Sequence, residues 1–238
     1  MVADDEEWTG PVADTFAPLP ARDPIERFSG RIWSVVSEDV EFPSGTARRD
    51  VQKHLGAVAV IALDDSDRVL LIRQYRHPIG AWLFEPPAGL LDVPGEDPWL
   101  TAQRELAEEA GYRARTWHTL VDLLNSPGGS SEAIRIYLAR DLEPLTSGRP
   151  VTGEMEEHHL PRAWVPLHEA IDLILSSAIG SPSAVAGILA LQAVHPHGLD
   201  ALRPPDAPWP IRSHLQASGR VHPMTSVVGT VETKRGES

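Results

Sequence analysis

Apolar and polar positions alternate along several short stretches of this chain and run together in one. Residues 26–42 place β-branched and aromatic side chains in alternation with polar ones and end at Pro43-Ser44-Gly45, a turn sequence. Residues 48–54 read as the returning strand of a hairpin. Residues 57–63 are apolar throughout, which predicts a central strand buried on both faces. Asp64-Asp65-Ser66-Asp67 makes a turn, and residues 68–75 return. Short strands follow at 83–86, 117–124, 133–139 and 163–166, with a loop at 125–132 and a polar, loop-like stretch at 142–161. An amphipathic helix is predicted over 167–177. A last helix over 182–194 has Ser181 as its cap and Pro182 at its first position. Residues 1–24, acidic and Pro-rich, read as a flexible arm, and residues 196–238, rich in Pro, His and Gly, as a disordered tail.

One stretch does not fit a strand pattern. Residues 89–112, GLLDVPGEDPWLTAQRELAEEAGY, read as a loop, a helix and a helix stop. Asp97 suits the N-cap, Pro98 the first helical position, and Gly111 a left-handed C-terminal cap. Trp99, Ala102, Leu106 and Ala110 form a narrow apolar stripe. Glu105 and Glu109 stand one turn apart on another side, with Glu108 beside them. Like charges at this spacing repel. A hard divalent cation resolves the conflict, since Mg²⁺ and Mn²⁺ take oxygen ligands. For a bare Glu-Glu pair, a solvated acidic face is the simpler reading. Arg104, four residues before Glu108, and the stiff approach Pro86-Pro87-Ala88-Gly89 argue for a built site.

Composition narrows the chemistry further. The 238 residues suffice for one substantial domain or two small ones. A net charge of -13 argues against broad binding to nucleic acid, which needs basic surface. There is no cysteine, hence no disulfide, no thiolate nucleophile and no zinc–sulfur site. No apolar run reaches membrane-spanning length and no secretory signal pattern opens the chain, so we expect a soluble cytoplasmic protein without a membrane partner.

Gly89, Glu96, Arg104-Glu105-Leu106, Glu108-Glu109, Gly111 and Tyr112 together resemble the Nudix box, G-x5-E-x7-R-E-U-x-E-E-x-G-U, where U is aliphatic. Two departures stand out. Six residues rather than five separate Gly89 from Glu96, and Tyr112 replaces the aliphatic residue. The resemblance implies an α/β fold, an α/β/α sandwich around a mixed β-sheet, over residues 56–195. The preceding β-hairpin subdomain, 25–55, resembles the small N-terminal sheet that ADP-ribose pyrophosphatases exchange within a homodimer.

The same resemblance implies roles for particular residues. Glu105, Glu108, Glu109 and the carbonyl of Ala88 become ligands of Mg²⁺ or Mn²⁺. Glu96 fits either a metal ligand or an acid that favours the helix N-terminus. Arg76, in Arg73-Gln74-Tyr75-Arg76, becomes a contact to the diphosphate, although by itself it equally fits a strand rim. Arg49 and Trp33 fall where relatives hold the adenine, across the dimer, although by itself an aromatic residue in a small sheet is more often core. Pro127, fifteen residues past Tyr112, marks the ADP-ribose pyrophosphatase branch. Glu157, with Glu156 second, matches the general base of relatives, though either fits a solvated loop.

The expected activity is hydrolysis of ADP-ribose to AMP and ribose 5-phosphate, with a small nucleoside diphosphate compound as the partner. The alternatives are hydrolysis of another such compound, for example a nucleotide sugar, and a non-catalytic ADP-ribose sensor.

Overall fold

The computed structural model describes residues 7–150 and 160–223. Its first sheet has three antiparallel strands, β1 (Ala21–Ser29), β2 (Trp33–Phe42) and β3 (Gly45–His54). The alternating stretch 26–42 is therefore two strands and not one. It breaks at Gly30, whose amide donates to the carbonyl of Trp33 at 2.9 Å. A β-carbon there would lie 2.8 Å from the Phe28 ring, so a side chain at this turn would displace that ring. β1 starts at Ala21, inside the expected flexible arm. A register irregularity between Arg22 and Ile25, with Asp23 at φ 51°, hides its period in the sequence. Residues 7–20 have no regular secondary structure.

The apolar run becomes β4 (Ala57–Ala62), parallel to β9 (Ala133–Pro144) and antiparallel to β7 (Ala88–Leu90). β8 (Tyr112–Leu124) lies antiparallel on the other side of β9. A third sheet, in the order β10-β5-β6, holds β5 (Arg68–Arg76), β6 (Ala81–Glu85) and β10 (Arg162–Pro166). A bridge between Leu63 and Val69 ties it to the end of β4.

Successive strand residues face opposite ways, so β4 serves two cores. Val58, Val60 and Ala62 meet α1 (Pro98–Glu105) through Ala102, and its π-helical continuation (Leu106–Ala110) through Leu106 and Ala110. Ala59 and Ile61 meet α2 (Leu167–Leu175) and α3 (Pro182–Val194) through Ala170, Ile174, Ala184, Ile188 and Leu191. Each fully buried Leu or Ile here contributes on the order of 1.5–3 kcal/mol. α3 comes close: a β-carbon on Gly187 would lie 2.7 Å from Ile61. The result is the expected α/β/α sandwich around a mixed sheet.

The chain beyond α3 overturns the expected disordered tail as far as residue 223. It forms two one-turn 3-10 helices, His195–His197 and Leu199–Ala201, and then α4 (Pro210–Ala217). Trp209 and Leu215 are buried in the α1-side core, with Ile211 and Val221 packed on it. Beneath them, the buried Arg135 donates to the carbonyls of Ala207 at 2.6 Å and Pro208 at 2.9 Å. Its guanidinium lies 4.8 Å from the Trp209 ring centre. The prolines that read as disorder instead limit the freedom of an extended strap, whose apolar anchors follow no helical or strand period. No helix among the described residues is long and apolar enough to cross a membrane.

Candidate active site between α1 and the β5–β6 hairpin

The approach to α1 is built for close contact. β6 ends at Glu85, Pro86 and Pro87 turn the chain, and β7 follows. The Ala88 amide donates to Oε2 of Glu109 at 2.8 Å. A β-carbon on Gly89 would overlap the Glu105 carboxylate, so glycine lets that carboxylate lie against the strand. Glu105 and Glu109 are 6% and 3% exposed, which rules out the solvated acidic face for these two. The helix keeps the ends read from its sequence. Asp97 accepts from the Trp99 amide at 2.8 Å, and Gly111 takes φ 73°. What the sequence did not suggest is the π turn over Leu106–Ala110, an irregularity frequent at functional sites.

Arg104 balances the charge. It donates to Glu105 at 2.6 Å, to Glu108 at 3.2 Å and to Glu96 at 3.2 Å. The Thr101 hydroxyl donates to Glu96 at 2.8 Å. Burial alone would push the Glu96 carboxyl up. Hydrogen bonds from Arg104 and Thr101, with the Arg104 charge, outweigh it and hold Glu96 below the ordinary carboxylate range. Burial likewise opposes the Arg104 charge, but its carboxylate partners prevail and raise it further.

Among the described residues, no three His, Asp or Glu side chains converge as a preformed metal cage. The donor set still fits a hard divalent cation. Glu105, Glu108, Glu109 and the Ala88 carbonyl offer only oxygen, and Gly89 leaves room for Glu105 beside the strand.

At the end of β5, Arg76 meets Glu85, with 2.5 Å between Nη2 and Oε2. Both line a cavity of about 480 Å³ together with Trp33, His54, Ala88 and Gly89. Three of the predicted site residues, Trp33, Arg76 and Ala88, thus share one cavity, and its wall at Ala88–Gly89 contacts Glu105 and Glu109. Trp33 is half-exposed and its ring packs 5.0 Å from that of Phe28. Arg49 and Pro127 lie elsewhere. They line a separate groove of about 760 Å³ beneath residues 14–19. There Arg49 donates to the Arg48 carbonyl at 2.9 Å and stacks over Phe42. A single chain does not bring these two to Arg76.

Glu156 and Glu157 lie outside the described residues. The chain on either side of them touches the end of the carboxylate helix. Arg149 donates to the Glu108 carbonyl at 3.0 Å, and Arg162 donates to the Ala110 carbonyl. Sequence reasoning missed both arginines, whose contacts are to backbone carbonyls and leave no side-chain pattern. It also missed Glu85. A carboxylate closing the same hairpin as Arg76 was the available signal.

The family model of the NUDIX domain matches residues 53–184, more than half of the chain. The chain belongs to the NUDIX domain family. Its NUDIX domain runs from the end of β3 into α3 and has the carboxylate helix near its middle. An ADP-ribose pyrophosphatase of Mycobacterium tuberculosis is 44% identical over 182 residues, which cover 76% of this chain and 86% of that protein. A methanol dehydrogenase activator of Bacillus methanolicus is 36% identical over 166 residues, covering 69% of this chain and 88% of that protein. An ADP-ribose pyrophosphatase of Bacillus subtilis matches with the same identity and coverage. The fold is that of a solved ADP compounds hydrolase, with a TM-score of 0.64 at 26% identity, covering 78% of this chain and 99% of that one.

Proposed function

We propose that this chain is a divalent-metal-dependent pyrophosphohydrolase that cleaves ADP-ribose to AMP and ribose 5-phosphate. The observation that carries the reading is the Ala88–Gly89 strand. It contacts the buried Glu105 and Glu109 and also lines the cavity that holds Arg76. The relatives named ADP-ribose pyrophosphatase supply the substrate.

Glu105, Glu108, Glu109 and the Ala88 carbonyl would hold Mg²⁺ or Mn²⁺, which would supply positive charge to the pyrophosphate and acidify a water. Arg76 binds the diphosphate through its planar guanidinium, and Glu85 sets the direction of that group. Trp33 stacks on the adenine. Glu157, or Glu156 beside it, takes a proton from the water that attacks one phosphorus, and the bridging P–O bond breaks. Because charge spreads over phosphoryl oxygens, these groups act mainly by position and electrostatics.

A homodimer completes the site in this reading. All nine residues of β1 are exposed, including Ile25 and Phe28. On the β5–β6 hairpin, Tyr75 and Trp82 pack at 5.4 Å, and Trp82 is 54% exposed. Apolar surface of this kind suits a second copy. Arg49 of one subunit then joins the nucleoside pocket of the other, where Trp33 already shares a cavity with Arg76, and Pro127 shapes the groove beside Arg49. Light scattering tests the assembly; a fully active monomer overturns it.

Product analysis tests the activity. ADP-ribose, a nucleotide sugar and a nucleoside triphosphate are incubated with Mg²⁺. AMP and ribose 5-phosphate form fastest from ADP-ribose, and EDTA abolishes the reaction. A faster nucleotide sugar moves the substrate assignment. Tight binding of ADP-ribose without turnover of any compound replaces the hydrolase with a sensor.

A further inference from the structure

The NUDIX match ends inside α3, and the strap beyond it contributes nothing to the mechanism above. Its last described turn nevertheless reaches the N-terminal sheet beside the candidate cavity. His222 is 1% exposed. Its Nε2 lies 3.1 Å from the Gly30 carbonyl and its Nδ1 3.2 Å from the Ser34 hydroxyl. A carbonyl only accepts, so Nε2 carries the proton and Nδ1 accepts from Ser34. The His222 amide donates to the His54 carbonyl at 3.3 Å, and Val221 forms a parallel bridge with His54. Neighbouring contacts seat the strap: Lys53 Nζ to the Gly219 carbonyl at 2.8 Å, the Ser131 hydroxyl to the Arg220 carbonyl at 2.7 Å, and Arg220 to Glu38 at 3.3 Å.

Gly30 and Ser34 bracket Ile32 and Trp33, and those two residues line the cavity with Arg76. Neighbours on a strand face opposite ways. Ser34 therefore turns to the strap while Trp33 turns to the cavity, paired across the sheet with His54, which lines the cavity too. The turn has its own bond from the Gly30 amide to the Trp33 carbonyl. His222 adds a tie on each side of the cavity-lining pair and commits both ring nitrogens to this one turn.

We propose that His222 is a positioning residue for substrate. It clamps the Gly30–Ser34 turn and thereby holds Ile32 and Trp33 in the wall that meets the nucleoside. The inference rests on the proposed reading of this cavity as the ADP-ribose site. The clamp acts on binding and not on the reacting phosphorus, so its loss shows in KM.

The test compares His222→Ala and His222→Gln in the full chain. With ADP-ribose, His222→Ala raises KM about tenfold and leaves kcat within about threefold, the scale of losing one or two hydrogen bonds that position a group. His222→Gln keeps a donor for the Gly30 carbonyl and recovers most of the affinity. A diphosphate diester that lacks the base shows no change in KM. Amide exchange over residues 30–34 quickens in His222→Ala, while exchange in β4 does not. An unchanged KM for ADP-ribose, a loss confined to kcat, or unchanged exchange at 30–34 overturns the proposal. If His222→Ala does not fold, Ser34→Ala removes one tie and raises KM about threefold; no change there overturns the proposal as well. A wild-type chain that does not hydrolyse ADP-ribose defeats the proposed function, and the clamp is then decided by the exchange measurement alone.

Discussion

Arg76 and Glu85 meet within the β5–β6 hairpin at 2.5 Å, with the glutamate side chain 8% exposed and the arginine side chain 43% exposed. A buried carboxylate under a half-exposed arginine fixes where that arginine points. A hydrogen bond to a charged group is worth about 1.5–3 kcal/mol. We expect Glu85→Gln to raise KM for ADP-ribose about tenfold. Steady-state kinetics measure this, and a thermal melt separates it from loss of fold.

Glu109 accepts from the Ala88 amide through Oε2. An amide oxygen at the same place still accepts that bond, so Glu109→Gln keeps the local fold and removes one charge. Turnover is expected to drop about a hundredfold or more, the scale of losing a key electrostatic group. A titration with Mn²⁺ followed by calorimetry would show weaker metal binding alongside. Near-normal turnover in a folded variant removes Glu109 from the metal site.

Gly89→Ala tests the close approach on which the site depends. The added methyl overlaps the Glu105 carboxylate, so either the helix or that side chain must move. Activity should fall by more than tenfold, because small misplacements of positioned groups cost about a hundredfold. The melting temperature should change far less. Equal losses of activity and stability would make Gly89 a packing residue only.

His54 sets a pH dependence. Burial pushes its imidazole below the ordinary 6.5, against the upward pull of the Glu132 carboxylate 3.7 Å away. Its Nδ1 accepts from the Gly56 amide at 3.1 Å, a bond the protonated ring cannot keep. As pH falls, the unfolded chain takes up this proton before the folded one. The stabilisation is therefore complete above about 6.5 and is lost as pH falls through the lower folded value. The melting temperature should decline from about pH 7 toward pH 5, and His54→Gln should flatten that slope. Melts across a buffer series measure it.

How far the sequence reached depended on whether a signal was local. Asp97, Pro98 and Gly111 set the ends of α1 through bonds to their own neighbours, so the helix was legible without any tertiary knowledge. The run at 57–63 announced a strand buried on both faces, because nothing polar interrupts it. Gly30 hid a turn inside an alternating stretch, since the pattern resumes in phase after the break. Trp209, Leu215 and His222 carry the C-terminal strap, yet no strand or helical period links them. Their partners lie on α1, β9 and β2, far away in sequence. Arg149 and Arg162 were invisible for a related reason: each bonds a backbone carbonyl, and every residue has one.

The contact between His222 and Ser34 joins positions 188 apart. Loop closures of that span are slow. On the ribosome, β1 and β2 emerge before the NUDIX domain, and the residue that clamps them emerges after it. A nascent chain can therefore assemble its carboxylate helix while the wall carrying Trp33 still lacks its fastening. On the proposed reading, the wall that meets the nucleoside is fastened later in translation than the carboxylate helix is made.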